Sequence, residues 1–181
     1  MIKSLVKKAD GWHCITMNRA MTSTHPLEPI FDSESRILIL GSFPSSESRK
    51  QKFYYAHPRN RFWKVMAFLG KVQEPQDNEE KTRLLGSLHL ALWDVVRTCT
   101  VTGSSDASIT DVIPNDINTI LKDTKIDKIV CNGNTSYNLY MKYLFQNIKI
   151  QPEKLPSTSP ANAAWSLEQL IRQWKVSLCS D

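Results

Sequence analysis

The sequence predicts an α/β fold: a three-layer α/β/α domain built on a central four-stranded, mainly parallel sheet. Short, continuous apolar runs that end in glycine or polar residues recur along the chain, as expected for strands buried on both faces. Segments with helical periodicity lie between these runs. This alternation indicates right-handed crossovers that cover both sides of the sheet.

Four segments are predicted to be strands. They are Arg36–Ser42, Leu90–Val96, Asp127–Gly133 and Lys154–Asn162, the last being a short strand that runs into a polar turn. Ligands of parallel α/β sheets bind beyond the carboxyl ends of the strands. We therefore expect the functional residues in the polar stretches found there, GSFPS, WD, CNGNTS and STSPAN.

Five segments are predicted to be helices: Asn60–Gly70, Asp77–Leu92, Asn115–Asp123, Asn134–Asn147 and Ala164–Leu178. In the first, Phe62, Met66 and Leu69 form one apolar stripe, and Gly70 is expected just past the helix end. Asn115 is expected to cap the third helix at its N-terminus. The inner stripe of the last helix consists of Leu167, Leu170, Ile171 and Trp174.

Composition favours one domain, residues 29–181, preceded by an extension of unclear role, residues 1–28. The chain has 181 residues, and 23 Lys and Arg against 18 Asp and Glu give a net charge of +5, which permits a polyanionic partner. Its four cysteines form no CxxC pair and no metal-ligand spacing with histidine, so no metal is expected. With no apolar run of membrane-spanning length and no signal sequence, we expect a cytoplasmic monomer without a membrane partner.

Two polar stretches follow the first strand. GSFPSSES, beginning at Gly41, offers hydroxyls and backbone amides for a phosphate, or else serines that cap the next helix. YYAHPRNRFW, from Tyr54 to Trp63, combines stacking aromatics, basic side chains and one amide, as a nucleic-acid site does. The alternative for this stretch is that its aromatics fill the core and that His57 is a loop histidine.

Two further strand ends carry candidate residues. Asp94 could accept a hydrogen bond from a ring N–H or act as an acid or base, or else it caps the following loop. The STSPAN turn could contact phosphate or could cap the last helix. GxSxG and the zinc-deaminase signature are both absent, which disfavours an α/β-hydrolase and a zinc deaminase.

Taken together, these motifs resemble the uracil-DNA glycosylase superfamily. Gly41-Ser42-Phe43-Pro44 looks like its first motif, and the turn from Ser157 to Asn162 looks like its second. YYAHPRNRFW is most similar to the hypoxanthine-DNA glycosylase branch, family 6. The resemblance runs from about Pro29 to Trp174.

The resemblance implies roles for individual residues. Most of the superfamily places Asp or Asn at the third residue of the first motif to position water, but Phe43 stands here, and the hypoxanthine branch uses the asparagine that corresponds to Asn60. The second motif also lacks the histidine of efficient uracil enzymes. The implied base-binding residues are Gly41, Ser42, Phe43, Tyr55 and Asp94. The implied DNA-binding residues are Pro44, His57, Arg59, Arg61, Ser157, Ser159 and Asn162.

The resemblance therefore implies a DNA glycosylase that removes hypoxanthine from DNA containing deaminated bases, in base-excision repair and without a cofactor. No lysine is obviously placed for Schiff-base chemistry, which favours hydrolysis alone. The alternatives are a uracil or broader damaged-base glycosylase, and a catalytically silent nucleic-acid-binding module of the same fold.

Overall fold

The structure is a computed structural model that describes the backbone of residues 3–8, 11–16, 21–101 and 109–179, and the side chains within 22–100 and 109–179. Most of the predicted extension, residues 1–28, lies outside the range whose side chains are described. The elements in chain order are β1 (Lys3–Lys8), β2 (Gly11–Thr16), β3 (Met21–Thr24), β4 (Ile37–Gly41), α1 (Ser46–Gln51), α2 (Phe62–Leu69), α3 (Asn78–Ser87), β5 (Leu90–Asp94), β6 (Val96–Val101), β7 (Thr110–Pro114), α4 (Asn118–Leu121), β8 (Lys128–Asn132), α5 (Asn134–Tyr143), α6 (Phe145–Ile148), β9 (Glu153–Leu155) and α7 (Leu167–Leu178).

The central sheet has four parallel strands in the order β5-β4-β8-β9. Alternate residues of β4 enter different cores: Ile39 packs on one face, with Phe62 and Trp174, while Leu38 and Leu40 pack on the other. All three β4 residues are fully buried. Helices α2, α3 and α7 thus cover one face, and α4 and α5 cover the other. The predicted three-layer α/β/α fold is confirmed.

A second, antiparallel sheet was not predicted. It has the order β3-β6-β7 and adjoins the central sheet, because the chain leaves β5 at Asp94 and enters β6 at Val96. The expectation of one strand from Leu90 to Val96 is therefore wrong at its end. A separate antiparallel pair, β1 and β2, lies further toward the N-terminus.

Helices α2 and α7 follow the prediction closely. Phe62 and Met66 are buried in α2, and Leu170 and Trp174 in α7. Gly70, however, has φ −76° and closes the helix in the right-handed region. The left-handed residue beyond the helix end is instead Lys71, with φ 54°.

Three helix predictions need correction. The helix expected from Asp77 to Leu92 ends at Ser87, because the chain turns through a left-handed His89 (φ 53°) to begin β5. Asn115 does not cap α4: its Nδ2 donates to the Asp94 carbonyl at 2.9 Å, and residue 117 precedes the helix. The helix expected from Asn134 to Asn147 is divided into α5 and α6.

Within the described residues, no helix is long and apolar enough to cross a membrane. Cys99 and Cys131 are buried cysteines, and Cys179 is an exposed one. Burial raises the pKa of Cys131 to about 12, against the weaker opposite effect of a hydrogen bond with Ser136. Cys131, the next-to-last residue of the central strand β8, is therefore a packing residue and not a nucleophile.

Candidate active site

A cleft of about 850 Å³ opens beyond the carboxyl ends of the four parallel strands. Gly41 from β4, Asp94 from β5, Asn132 from β8 and Leu155 from β9 all line it. The cleft therefore lies where a parallel sheet is expected to bind its ligand.

Gly41 and Asp94 form the floor. A Cβ atom at residue 41 would lie 2.1 Å from Asp94 Oδ1 and 3.1 Å from the Tyr55 hydroxyl. Only glycine allows this carboxylate to approach the backbone so closely. Asp94 itself is 3% exposed, so its charge lies in a largely dry environment.

The rest of the first motif also lines the cleft. Ser42, Phe43 and Pro44 are buried, and the Arg49 guanidinium carbon lies 5.4 Å from the centre of the Phe43 ring. Ser45 N-caps α1 by accepting from the Ser48 N–H at 3.2 Å. The capping interpretation of these serines is therefore confirmed, and the apolar Phe43 occupies the third position of the motif.

Tyr55 lies in the left-handed region, with φ 52°, and its ring lines the cleft. The ring stacks on Phe62 with centroids 4.1 Å apart and planes 25° apart. A left-handed non-glycine residue is uncommon and frequently marks a functional position. One face of the ring is covered by Phe62, so a planar ligand has only the other face to stack on.

Asn60 lies in the same cleft, just before α2. Its Oδ1 accepts from the Phe62 N–H at 3.0 Å, and its own N–H donates to the His57 carbonyl at 2.7 Å. These two bonds fix the side chain relative to the helix. The second lone pair of Oδ1 and the Nδ2 amino group are not used by either bond.

His25 was missed by the sequence analysis. Its Nε2 lies 2.8 Å from Asp94 Oδ2, and its side chain is only 2% exposed. The chain separation of 69 residues explains the omission. The one available signal was a histidine directly before a proline, which favours an extended backbone.

Tyr54 is a core residue. Burial, helped by the charge of Asp94, raises its pKa far above the ordinary value, so the hydroxyl stays a neutral donor. It donates to the Glu28 carbonyl at 2.9 Å. Both predicted stacking tyrosines line the cleft, but Tyr54 is only 3% exposed, whereas Tyr55 is half-buried.

Arg61 bonds to the loop of the second motif. Its guanidinium donates to backbone carbonyls of this loop: to Thr158 at 3.3 Å, to Ser159 at 2.7 Å, to Asn162 at 2.9 Å and to Trp165. These four bonds hold the loop together, and a contact of Arg61 with phosphate stays a prediction.

The second motif is held to β8 from another side. Asn132 and Thr158 exchange two hydrogen bonds, one from Nδ2 to Oγ1 at 3.0 Å and one from the Thr158 N–H to Oδ1 at 2.9 Å. Next to them, Gly133 has φ 104°, and a Cβ there would lie 2.8 Å from Ser157 Cβ. The loop after β8 is among the predicted ligand-binding stretches, but no role was predicted for Asn132, Gly133 or Thr158.

Polar side chains of the second motif bond mainly within the loop. Asn162 Nδ2 donates to the Ser157 carbonyl at 2.8 Å, and Ser157 Oγ accepts from the Ser159 N–H at 3.2 Å. Ser159 Oγ in turn accepts from the Ala161 N–H at 3.2 Å. All three predicted residues line the cleft, but their visible bonds shape the loop.

Basic side chains near the rim include one that was not predicted. Arg59 is exposed, and half-buried His57 accepts from its N–H at 3.1 Å through Nδ1. Lys154 is exposed and lines the cleft, with Nζ 5.4 Å from the centre of the Tyr137 ring. Lys154 was not among the predicted site residues, and the expectation that no lysine is placed for Schiff-base chemistry stays a prediction.

Comparisons with known proteins agree with this architecture. The family model of the Uracil DNA glycosylase superfamily matches residues 28–178. A protein of Methanosarcina acetivorans named hypoxanthine DNA glycosylase is 30% identical over 138 residues, which cover 76% of this chain and 87% of that protein. A protein of the same name from Methanosarcina barkeri is 31% identical, over 74% of this chain and 85% of its own length.

A solved structure shares the fold. It is a solution NMR structure from Methanosarcina acetivorans whose name assigns it, provisionally, to the uracil DNA glycosylases. The TM-score is 0.74 at 29% sequence identity, and the alignment covers 87% of this chain and 97% of the other.

Proposed function

The chain belongs to the uracil DNA glycosylase superfamily, and from this premise we propose that it is a monofunctional DNA glycosylase that excises hypoxanthine. Its substrate would be deoxyinosine in DNA, and the reaction would be hydrolysis of the N-glycosidic bond in base-excision repair. The observation that carries the proposal is the shared location of Asn60 and Asp94 in one cleft, with Phe43 where most relatives place a water-binding residue. The two Methanosarcina relatives named hypoxanthine DNA glycosylase support the choice of base.

Base recognition rests on Tyr55 and Asp94. An extruded purine stacks on the side of the Tyr55 ring that faces away from Phe62. The Asp94 carboxylate, at the floor beside Gly41, accepts the N1–H of hypoxanthine. Ser42 and Phe43 complete the pocket around the base.

Hydrolysis rests on Asn60. Departure of the base leaves an oxocarbenium-like sugar, so a correctly placed water is the main requirement. An amide is no general base, but its carbonyl oxygen orients a water through the lone pair that the Phe62 N–H leaves unused. Because α2 fixes this amide, little reorganisation is needed when the water attacks.

The rim supplies contacts to the DNA backbone. Arg59 and Lys154 are exposed cations at or near the cleft, and His57 lies beside Arg59. Ser157, Ser159 and Asn162 shape the opposite rim, and Pro44 lies in the cleft wall. Extrusion of the nucleotide costs a few kcal/mol and is easiest at a mismatched or damaged pair.

The test uses duplex oligonucleotides that each contain one deoxyinosine, deoxyuridine or ethenoadenine. After incubation with the protein, alkali should break only the deoxyinosine strand. Breakage of the uracil strand alone would contradict the choice of base, and no breakage of any strand would favour a silent binding module. Breakage without alkali, together with a borohydride-trapped adduct, would show lyase chemistry and would direct attention to Lys154.

We further propose that the protein acts as a cytoplasmic monomer. Its reaction needs one cleft and one DNA molecule, and the cleft residues named above all come from one chain. Light scattering of the purified protein, alone and with a short duplex, would test the stoichiometry.

A further inference from the structure

His25 reaches Asp94, at the floor of the cleft, from the second sheet, but does not itself line the cleft. Strand β3 pairs with β6, with Thr24 opposite Thr98, and the His25 N–H donates to the Arg97 carbonyl at 2.7 Å. Because β5 continues into β6, this pairing carries the side chain of His25 to Asp94 at the end of β5. A sheet outside the central fold thus delivers one side chain to the floor of the cleft.

The two ring nitrogens of His25 have distinct partners. Nδ1 accepts from the Leu27 N–H at 3.2 Å, while Nε2 lies 2.8 Å from Asp94 Oδ2. In the neutral ring, an accepting Nδ1 requires the proton on Nε2, which therefore donates to the carboxylate. The rings of Phe43 and Tyr54, with centroids 5.9 and 6.2 Å away, enclose the imidazole.

This bond determines which role Asp94 can take toward a base. The bond from Nε2–H to Oδ2 fixes the orientation of this carboxylate, and Oδ1, beside Gly41, can accept from a ligand. Such a carboxylate bonds a base with an N1–H, as in hypoxanthine, and repels a purine whose N1 is an unprotonated acceptor, as in adenine. Without the imidazole, the carboxylate would also be free to rotate away from the base.

We propose that His25 is a positioning residue that holds Asp94 as an oriented acceptor and thereby sets the preference for bases with an N1–H. The inference rests on the function proposed above, because it concerns the same pocket. The role is distinct from catalysis, since His25 touches Asp94 and not the reacting bond.

Two nearly isosteric substitutions test the two hydrogen bonds of the His25 ring one at a time. His25→Gln places an amide N–H near the position of Nε2 and keeps the donor to Asp94. His25→Asn places its amide near Nδ1, so it keeps a partner for the Leu27 N–H but does not reach Asp94. Thermal melts of both variants show how much of any effect is due to folding.

Single-turnover excision is measured on deoxyinosine and on 2′-deoxynebularine, a purine without the N1–H. We expect His25→Asn to lower the rate ratio of deoxyinosine to nebularine about tenfold, the usual consequence of losing one hydrogen bond to a charged group. His25→Gln should keep the rate ratio of deoxyinosine to nebularine within about twofold of the wild-type value, because its amide restores the hydrogen bond to Asp94. If the ratio stays at the wild-type value in both variants, His25 is only structural and the inference is wrong.

A second measurement does not depend on activity. In ¹⁵N-labelled wild-type protein, the His25 ring should show a protonated Nε2 and an unprotonated Nδ1, and the Nε2 proton should shift in Asp94→Asn. A proton on Nδ1 instead would overturn the inference. A wild-type protein with the expected ring signature but no excision of hypoxanthine would overturn the proposed function and leave the His25–Asp94 bond established.

Discussion

The two walls of the cleft contain the same kinds of residue but use them differently. The first wall, residues 41–60, places Asn60 and Tyr55 in the cleft beside Asp94. The second wall, residues 157–165, has serines and an asparagine whose visible hydrogen bonds lie within the wall. Arg61 follows the first wall directly, and its guanidinium donates to carbonyls of the second wall.

The difference shows that residue type alone does not assign a role. Backbone carbonyls in an irregular loop need donors once they are partly buried, and the second wall obtains them from Arg61 and Asn162. In the first wall, α1 and short-range bonds such as that from the Asn60 N–H to the His57 carbonyl satisfy several backbone groups, and Asn60 keeps part of its amide for a ligand. The first wall thus carries the residues proposed for the reaction, and the second wall maintains the shape of the cleft. Substitutions in the first wall should therefore lower activity, and substitutions in the second wall should lower stability.

The largest effect is expected for Asn60→Ala in the first wall. Without the amide that orients water, single-turnover excision of hypoxanthine should fall at least about a hundredfold. Loss of the cap on the Phe62 N–H should cost only about 1 kcal/mol of stability. Excision is followed by alkaline cleavage, and binding to a deoxyinosine duplex by fluorescence anisotropy.

The control for this change is Asn60→Ser, whose hydroxyl keeps a capping acceptor but has no amide. It should melt near the wild-type temperature and be as inactive as the alanine variant. Wild-type turnover in either variant would remove Asn60 from the mechanism.

Arg61→Lys should mainly affect the second wall. An ammonium cannot serve four separate carbonyls, so we expect a loss of about 3 kcal/mol in the free energy of unfolding. Urea unfolding measures it. Arg59→Lys, at an exposed neighbouring position, is the matched control and should leave stability unchanged. Equal free energies of unfolding for the two variants would contradict a stabilising role for the bonds from Arg61 to the four carbonyls.

Gly133→Ala tests the contact between the second wall and β8. A left-handed φ of 104° and a Cβ only 2.8 Å from Ser157 Cβ should together cost about 2 kcal/mol. The matched control is Gly86→Ala inside α3, where the nearest atom is Asp32 Oδ2 at 3.3 Å on an exposed side chain and alanine favours the helix. In thermal melts, the melting temperature of Gly133→Ala should lie well below that of Gly86→Ala. The reverse order would show that the loop of the second wall rearranges easily to accept the added Cβ.

The smallest effect is expected for Arg59→Ala at the rim. Losing one exposed cation should weaken binding to any duplex a few-fold at low salt and lower the salt slope by about one. Anisotropy titrations at several salt concentrations measure both quantities. An unchanged slope would show that Arg59 makes no phosphate contact.

Local patterns were sufficient to predict the central sheet and the first wall. Buried apolar runs alternate with helical segments, and motif residues such as Asn60 and Asp94 reach the cleft because they follow the strand ends. The turn from β5 to β6 was not predicted because Leu90–Val96 is apolar apart from Asp94 and resembles a single buried strand, whereas the two sheets divide it near Val95.

Residues whose roles depend on distant partners could not be assigned in this way. Arg61 finds its acceptors 97 to 104 positions later in the chain, and His25 meets Asp94 69 positions later. The sequence around either residue does not indicate these partners. An arginine among tyrosines and a histidine before a proline fit several roles equally well.

The same long-range contacts constrain when the protein can first act. During synthesis, the strands and Asn60 emerge well before Trp165, the last carbonyl that Arg61 holds. Until that residue has left the ribosome, the second wall has no fixed shape and a nascent chain has only half a cleft. We therefore expect excision to require the chain through at least Trp165, so that a shorter polypeptide is inactive.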